Sequence, residues 1–463
     1  MTSDDTLGPT SGSKQAPDVP GHLLQKYARP APRYTSYPPV QAWTRNVGSD
    51  DYRSALERAA VNASEPLSVY IHLPFCPFRC LYCGCNVVIT RRRSSLDTYL
   101  DRLAQELDLV TGVLGRGRVV SQLHLGGGTL NYGDEAQLAR LQEIIVDRFT
   151  LARDADTAVE ADPRLASARQ LAGLRALGFR RVSFGVQDLD PQVQRAIGRV
   201  QPLEAVRETV QAARDAGFEG INLDIIYGLP EQTPERFRRS IDAIVELAPD
   251  RVACFGYAHV PALRPHQRAL ARYSMPGGQE RLTLNRIAID GLTSAGYTWI
   301  GLDHFARQTD SLAQAARAGR LHRNFNGYTT MPAANLIAAG MSAIGDVAGC
   351  LVQNESDLAG WHAAIETGNF ATMRGHRLTD DDRRRRHAIM SLMCDLAVPM
   401  ALVEQIEGTM ERLEPLVTDG LIHWQGDRAV VTPVGRYFLR TIAAAFDAYP
   451  VETDTRRPMS RAV

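Results

Sequence analysis

The sequence predicts an α/β fold: a partial (β/α)6-type TIM barrel with an N-terminal arm and a small, mainly α, winged-helix-like C-terminal domain. Three observations predict it. Short β-rich runs alternate with segments of helical spacing through the first two thirds of the chain. Polar residues recur just after those runs, where the C-terminal ends of parallel strands gather a site. A cysteine-dense loop, YIHLPFCPFRCLYCGCNVVITRRR from Tyr70 to Arg93, follows the first run directly.

The strand-like runs are Leu67–Leu73, Val119–Leu125, Thr157–Ala161, Arg181–Val186, Gly220–Tyr227, Arg251–His259 and Tyr297–Leu302. Between them Ser95–Leu114, Glu135–Phe149, Ala166–Leu177, Leu203–Ala216, Thr233–Leu247 and Gly278–Ala295 have helical spacing. Strands alternating with helices give right-handed βα units and a parallel sheet. The expected organisation is a disordered leader (1–23), an arm or lid with a helix (24–66), the barrel (67–320), a loop-rich segment completing the site (321–379), a winged-helix-like unit (380–450) and a disordered tail (451–463).

Composition narrows the function. Lys+Arg and Asp+Glu both number 52 in 463 residues, so no excess positive charge marks a nucleic-acid partner. No apolar run is long enough to span a bilayer, and the first residues lack the pattern of a signal or transit peptide. Unpaired, clustered cysteines without a signal predict a cytoplasmic protein.

Four of the seven cysteines, Cys76, Cys80, Cys83 and Cys85, fall in the one loop. Thiolates are soft ligands that select zinc or iron–sulfur centres. Structural zinc sites pair two short knuckles, and no second pair follows, so iron fits better. Cys76, Cys80 and Cys83 are assigned to three corners of a [4Fe–4S] cluster whose fourth iron stays open. Cys85 is left free, because neighbouring side chains of an extended loop point apart. Gly126-Gly-Gly-Thr129 follows a strand, and its N–H groups are expected to be free for a ligand's polar head. Glu160, Gln187, Arg199 and Asp224 come at or after successive strand ends, where a carboxylate suits a ribose diol and an arginine fork a carboxylate. Cys254, Cys350 and Cys394 read as packing; His259 and His304 read equally as acid–base groups or as structure. Arg91–Arg93 reads as a solvated turn, or as a contact to an anionic substrate.

The three-cysteine loop with a glycine-rich strand one βα unit later resembles the radical S-adenosylmethionine (SAM) enzymes. Further motifs make the resemblance closer: PRYTSYP at Pro32, CGCN at Cys83, HLGGGT at His124, EADPR at Glu160, FGVQD at Phe184, NLDIIYGLPEQT at Asn222, YAHVP at Tyr257, GLDHFA at Gly301 and HRNFNGYTT at His322. From about Leu24 to Tyr449 the chain resembles the oxygen-independent coproporphyrinogen III oxidases. That resemblance implies a [4Fe–4S] cluster on Cys76, Cys80 and Cys83 and two SAM molecules, one along Tyr70, Tyr82, Gly127, Gly128, Thr129, Gln187, Arg199, Asp224 and Ala258, the other touching Glu160 and Ile344. It implies catalytic roles for Tyr70 and Glu160, a lid at Pro32–Pro38, coproporphyrinogen III as substrate, an external electron donor and acceptor, and a monomer. The implied chemistry is decarboxylation of two propionates to vinyls in haem biosynthesis. A related methyltransferase or cyclopropanase, and a haem chaperone, are the alternatives. Three departures from the family pattern are Leu130 in place of proline, Asn326 in place of glutamine, and GDVAGCLVQN after Ile344.

Overall fold

The computed structural model describes residues 17–27 and 29–449. Their main feature is a 12-stranded sheet. Six parallel strands form its centre: β1 (Leu67–Leu73), β2 (Arg118–Gly127), β3 (Phe149–Ala161), β4 (Arg181–Gln187), β5 (Gly220–Tyr227) and β6 (Arg251–Gly256). Five helices return the chain between them: α1 (Ser94–Leu114), α2 (Glu135–Val146), α3 (Ala168–Ala176), α4 (Leu203–Asp215) and α5 (Pro234–Leu247). Beyond β6 the sheet continues antiparallel through β8 (His304–Arg307) to β7 (Tyr297–Gly301). The expected runs are all present, β3 starting earlier, at Phe149, than its expected start at Thr157.

Local chemistry sets these elements. In α5 the Thr233 hydroxyl accepts the Arg236 N–H, Pro234 occupies the first turn where its missing N–H costs nothing, and Phe237, Ile241, Ile244 and Leu247 bury one stripe. Along the strands, parity does the sorting. Val69 and Ile71 of β1, Leu123 and Leu125 of β2, and Val182, Phe184 and Val186 of β4 pack in the main hydrophobic core. The alternate positions are polar: Ser68, Tyr70 and His72; Gln122 and His124; Asp156 and Glu160; Arg181 and Ser183; Asn222 and Asp224. Register aligns them, Tyr70 opposite His124, and Glu160 opposite Ser183, itself opposite Asn222. No helix among the described residues is long and apolar enough to cross a membrane.

The loop-rich segment expected at 321–379 carries strands as well as loops. It adds β9 (Asn335–Ala339), β10 (Ile344–Val347), β11 (Cys350–Asn354) and β12 (Thr372–Arg377) to the free edge of β1, with β9 parallel to it. All five residues of β9 are buried, so the alternation that betrays a strand in sequence is missing. Glu106 of α1 ties this addition to the barrel. Its carboxyl accepts the Gly340 N–H at 2.7 Å, the Asn354 side-chain amide at 2.6 Å and the Trp361 indole N–H at 3.1 Å. Burial pushes that carboxyl up to about 7, against the pull of its three donors.

Residues 380–449 form the expected unit of helices and a hairpin. A strand at Ala397–Pro399 joins the hairpin (Ile422–Gln425 and Arg428–Val431), and the closing helix is short, a 3-10 turn at Gly435–Phe438 followed by Leu439–Ala444. The arm before the barrel is a strap bonded to the C-terminal unit and to the barrel. Tyr34 and Tyr37 are fully buried. Tyr34 donates to Asp447 at 2.9 Å, Arg440 donates to the carbonyls of Ala31 and Pro32, and Arg33 pairs with Asp303 at 2.7 Å. The leader expected at 1–23 lies outside the described residues up to position 16, and a helix begins at Gly21. The expected tail, 451–463, also lies outside them.

Glu106→Ala strips three buried N–H groups of their acceptor at once. It is expected to lower the unfolding free energy by about 3 kcal/mol, read as an earlier urea midpoint with an unchanged m-value.

Candidate active site

The cysteine loop leaves β1 and is closed by a short parallel pairing of Phe75–Cys76 with Val88–Ile89. It is tied down from the barrel side. The Leu81 N–H bonds the Ile197 carbonyl at 2.9 Å, Gln267 donates to the Tyr82 carbonyl at 2.8 Å, and His266 bonds the Cys83 carbonyl at 2.8 Å. Arg264 reaches Gly84 and Asn86 at 2.8 and 2.7 Å. Inside the loop the buried Arg199 guanidinium lies 3.4 Å from Cys80 Sγ, 3.0 Å from Asp162 and 2.6 Å from the Gly185 carbonyl. Arg164 bonds both oxygens of Asp162, Oδ1 at 3.0 Å and, together with Arg199, Oδ2 at 2.6 Å, and approaches Cys80 Sγ at 3.7 Å. Burial works against the ionised Asp162, but the two arginines hold its carboxyl below the usual range.

Cys85 does not point away as expected. Its N–H donates to Cys83 Sγ at 3.4 Å. The Cys85 side chain beside it, ahead of the opposing effect of burial, pulls Cys83 down to about 6. Burial, with Cys83 and Cys80 nearby, pushes Cys76 up to about 12.

A second group of polar side chains stands at the C-terminal ends of β1, β2, β3 and β5. Tyr70 OH bonds His72 Nδ1 at 3.0 Å, and its ring stacks on His124 with centroids 5.9 Å apart. His124 Nε2 bonds Glu160 Oε1 at 3.1 Å, while Glu160 Oε2 accepts the Gly127 N–H at 3.1 Å. Burial raises the Glu160 carboxyl, yet His124 and Gly127 hold it below the usual range. Asp224 accepts from Asn222 at 2.7 Å and Ser183 at 3.1 Å, and burial together with the Glu160 charge pushes it up to about 7. Gln187 sits where β4 shifts register, with φ of 68°, a left-handed backbone that aims its amide across Gly185 toward Arg199.

The glycine run works differently from the sequence reading. The N–H groups of Gly127, Gly128 and Thr129 are already bonded, to Glu160, Leu73 and Phe75. A side chain on Gly126 would press on the Glu160 carboxylate, one on Gly127 on His72, and one on Gly128 on the Phe75 carbonyl, 2.5 Å away. The glycines therefore let the cysteine loop, His72 and Glu160 crowd together. Thr129 turns away from this space, its hydroxyl bonding Asn131 at 2.5 Å and accepting the Asp162 N–H at 2.9 Å.

The structure thus brings Cys76, Cys80, Cys83, Tyr82, Gln187 and Arg199 together, and beside them Tyr70, Gly127, Glu160 and Asp224. The Ala258 carbonyl joins the first group through Gln267, which bonds it at 3.2 Å. Ile344 stands apart, on a 620 Å³ cavity between β9–β11 and the helix Asp380–Asp395, and Phe325 packs against both Ile344 and Tyr70. Sequence reasoning missed His72 and gave Asp162 no role; strand parity with Tyr70, and the two-residue spacing from Glu160, were the available signals. His259 bonds Tyr257 at 3.1 Å, and burial with the Arg323 charge takes His304 down to about 4, which leaves it a neutral ring.

These residues suit an iron–sulfur centre. The thiols are close enough to act on one another's ionisation, a guanidinium lies against one sulfur, and Arg199 Nε is buried without a partner, a donor to spare for a bound anionic group. Among the described residues no three His, Cys, Asp or Glu side chains close on one point as a single bare ion needs; a cluster with one thiolate per iron makes no such demand.

The chain is similar to known proteins over most of its length. The family model of the Radical SAM superfamily matches residues 70–244. Fold and site together define a radical SAM enzyme. The chain is 39% identical over 450 residues to the oxygen-independent coproporphyrinogen III oxidase of Escherichia coli strain K12, covering 95% of this chain and 98% of the relative. With that of Pseudomonas aeruginosa it is 40% identical, over 92% of this chain and 95% of the relative. The solved structure of coproporphyrinogen III oxidase from Escherichia coli, described as a radical SAM enzyme, superposes with a TM-score of 0.87 at 38% identity, over 94% of this chain and 100% of that one. The chain belongs to the oxygen-independent coproporphyrinogen III oxidase family.

Arg199→Ala leaves Asp162 and Cys80 with Arg164 as their one remaining guanidinium. In metal-free, reduced protein it is expected to cost about 3 kcal/mol in urea unfolding, against about 1 kcal/mol for Arg164→Ala, which keeps the Arg199–Asp162 pair.

Proposed function

We propose that this enzyme converts coproporphyrinogen III to protoporphyrinogen IX without oxygen, removing two propionate carboxyls as carbon dioxide and leaving vinyl groups, as a step of haem biosynthesis. The observation that carries this reading is a three-cysteine loop, gripped by the buried Arg199, opening on a carboxylate-lined barrel mouth in a chain that matches coproporphyrinogen III oxidases along almost its whole length. Cys76, Cys80 and Cys83 would hold a [4Fe–4S] cluster. Tyr82, Gln187, Arg199, Asp224 and Ala258, with the Gly127–Gly128 backbone and Tyr70, would hold one SAM, and Glu160 and Ile344 a second. When bound, cluster and SAM supply a 5′-deoxyadenosyl radical that takes hydrogen from a propionate β-carbon before carbon dioxide leaves.

The chain's own residues orient and seal. Arg199 offers its spare donor to an anionic group, Asp224 and Glu160 offer carboxylate oxygens, and Tyr70 is fixed by His72 so that its ring and hydroxyl face the same space. The strap at Pro32–Pro38 keeps water out on the side of β6, where Arg33 caps the Gly256 carbonyl at 3.1 Å. The electron donor and acceptor are external, and the enzyme is expected to act as a cytoplasmic monomer.

The test is anaerobic turnover. Reconstituted protein with reductant, SAM and coproporphyrinogen III is expected to release two carbon dioxides per divinyl product, followed by mass spectrometry. Cys76→Ala, Cys80→Ala and Cys83→Ala should each lose the brown absorbance and SAM cleavage, whereas Cys85→Ala should keep the cluster. Formation of 5′-deoxyadenosine with coproporphyrinogen left intact would overturn the substrate.

Asp224 carries a pH prediction. A ribose diol bonds the carboxylate, but burial and the Glu160 charge keep Asp224 protonated up to about 7, against the pull of Asn222, Ser183 and His124. Binding must then expel a proton at low pH, so SAM affinity should rise by ~10-fold from pH 6 to pH 8. By equilibrium dialysis Asp224→Asn should bind more weakly, with a flat profile.

A further inference from the structure

The cysteine loop also presents an exposed surface, apart from the polar side chains at the strand ends. Phe78 is 44% exposed in the loop, between Cys76 and Cys80. Two guanidiniums flank its ring, Arg91 at 5.1 Å and Arg164 at 5.8 Å, and Arg164 in turn lies 3.7 Å from Cys80 Sγ. Around it Arg79, Arg91, Arg92 and Arg93 are all exposed, and none has a carboxylate within 4.0 Å among the described residues. Elsewhere the chain balances its charge, 52 against 52, and many arginines are paired, as Arg181 is with Asp156 and Arg251 with Asp310.

The placement of three of these arginines runs against local stability. They directly precede α1, whose 21 residues put the positive end of a helix dipole beside them, and the helix has no side-chain cap. The acid of its first turn, Asp97, accepts from Gln137 at 2.8 Å. Beside the arginines, Pro77, Arg91, Arg93 and Arg169 share a surface depression of 640 Å³, where the carboxylate of Glu135 is held by Arg169. An exposed aromatic ring in a field of unpaired cations is the composition of a docking face for an acidic protein.

We propose that Phe78 with Arg79 and Arg91–Arg93 is the docking surface for a small acidic one-electron carrier protein that delivers its electron beside Cys80. This rests on the reading of Cys76, Cys80 and Cys83 as the cluster ligands. In the step the carrier is oxidised by one electron and the centre at Cys80 is reduced by one; no bond forms or breaks and no proton moves. The arginines steer the acidic carrier and Phe78 seats it, with Arg164 bridging the ring to the sulfur.

The test uses reduced acidic flavodoxin as the probe, on anaerobic holoenzyme and on cluster-free protein. Binding by fluorescence anisotropy should weaken about 30-fold in the Arg91→Glu/Arg92→Glu/Arg93→Glu variant and steeply with salt in the wild type. Flavodoxin-driven formation of 5′-deoxyadenosine should fall in parallel, and Phe78→Ala should weaken binding with its salt dependence retained. Dithionite, which needs no docking face, should drive both variants within about two-fold of the wild type. Binding that is unchanged by charge reversal, or insensitive to salt, overturns the proposal, as does equal loss of dithionite-driven cleavage. Intact flavodoxin binding and cleavage with no decarboxylation of coproporphyrinogen would instead uphold the docking surface and remove the proposed substrate.

Discussion

Six parallel strands send every second side chain inward, and in this chain the inward set is polar and in part charged. Burying such groups is tolerable only when each finds a partner. Low in the barrel every one does: Asp156 with Arg181 at 2.6 Å, Arg251 with Asp310 at 2.9 Å, and Ser68 through Gln122 to Thr329 at 2.8 and 2.9 Å. Burial disfavours the ionised Asp156, yet Arg181 holds its carboxyl below the usual range. One layer higher the pairing runs short. Asp224 has only neutral donors and the Glu160 charge nearby, so it is pushed up to about 7, and Arg199 keeps an unpartnered Nε. The same rule that makes the lower layer a structural plug makes the upper layer a binding site, because unfinished pairing is what a ligand completes.

The barrel was legible because its strands and helices differ in period. Leu67–Leu73 and Gly220–Tyr227 stand where the pattern put them, and α5 begins at its Thr-Pro signal. The cysteine loop was legible through spacing alone. What the pattern could not carry is what depends on distant partners. NLIAA reads as a few apolar residues in a glycine-rich stretch, and it becomes a strand only because β1 has a free edge to pair with. Glu106 reads as one more acid on an amphipathic helix, and its burial follows from Trp361, Asn354 and Gly340, more than 230 residues on. Glycine chemistry misled in a specific way. Gly126–Gly128 do permit close approach, but the groups approaching are Glu160, His72 and the Phe75 backbone.

The strap and the C-terminal unit extend the same logic outward. Tyr34 and Tyr37, read in sequence as part of an extended lid, are wedged between the barrel and Asp447 and Ala448. Arg440, buried and bonded to the carbonyls of Ala31 and Pro32, satisfies backbone groups that an extended strap leaves without partners. Opening such a strap means exposing two buried aromatic side chains and uncovering a buried guanidinium.

The three departures from the family pattern separate on the same physical grounds. Leu130 starts the turn Leu130–Tyr132 and is 2% exposed in the main core, so its change from proline adjusts packing behind Gly128 and touches no ligand space. The stretch after Ile344 completes β10 and forms β11, pairing Gly345 with Val352 and Asp346 with Leu351, and Gly345, Asp346 and Leu351 line the same 620 Å³ cavity as Ile344. Asn326 is different. Its N–H is held by Asn324, which reaches Gln122 in the lower barrel, while its own side-chain nitrogen is buried without a partner. Leu130 alone of the three is confined to packing: the stretch after Ile344 lines the cavity that Phe325 and Ile344 share, and Asn326 brings an unsatisfied buried donor next to Phe325.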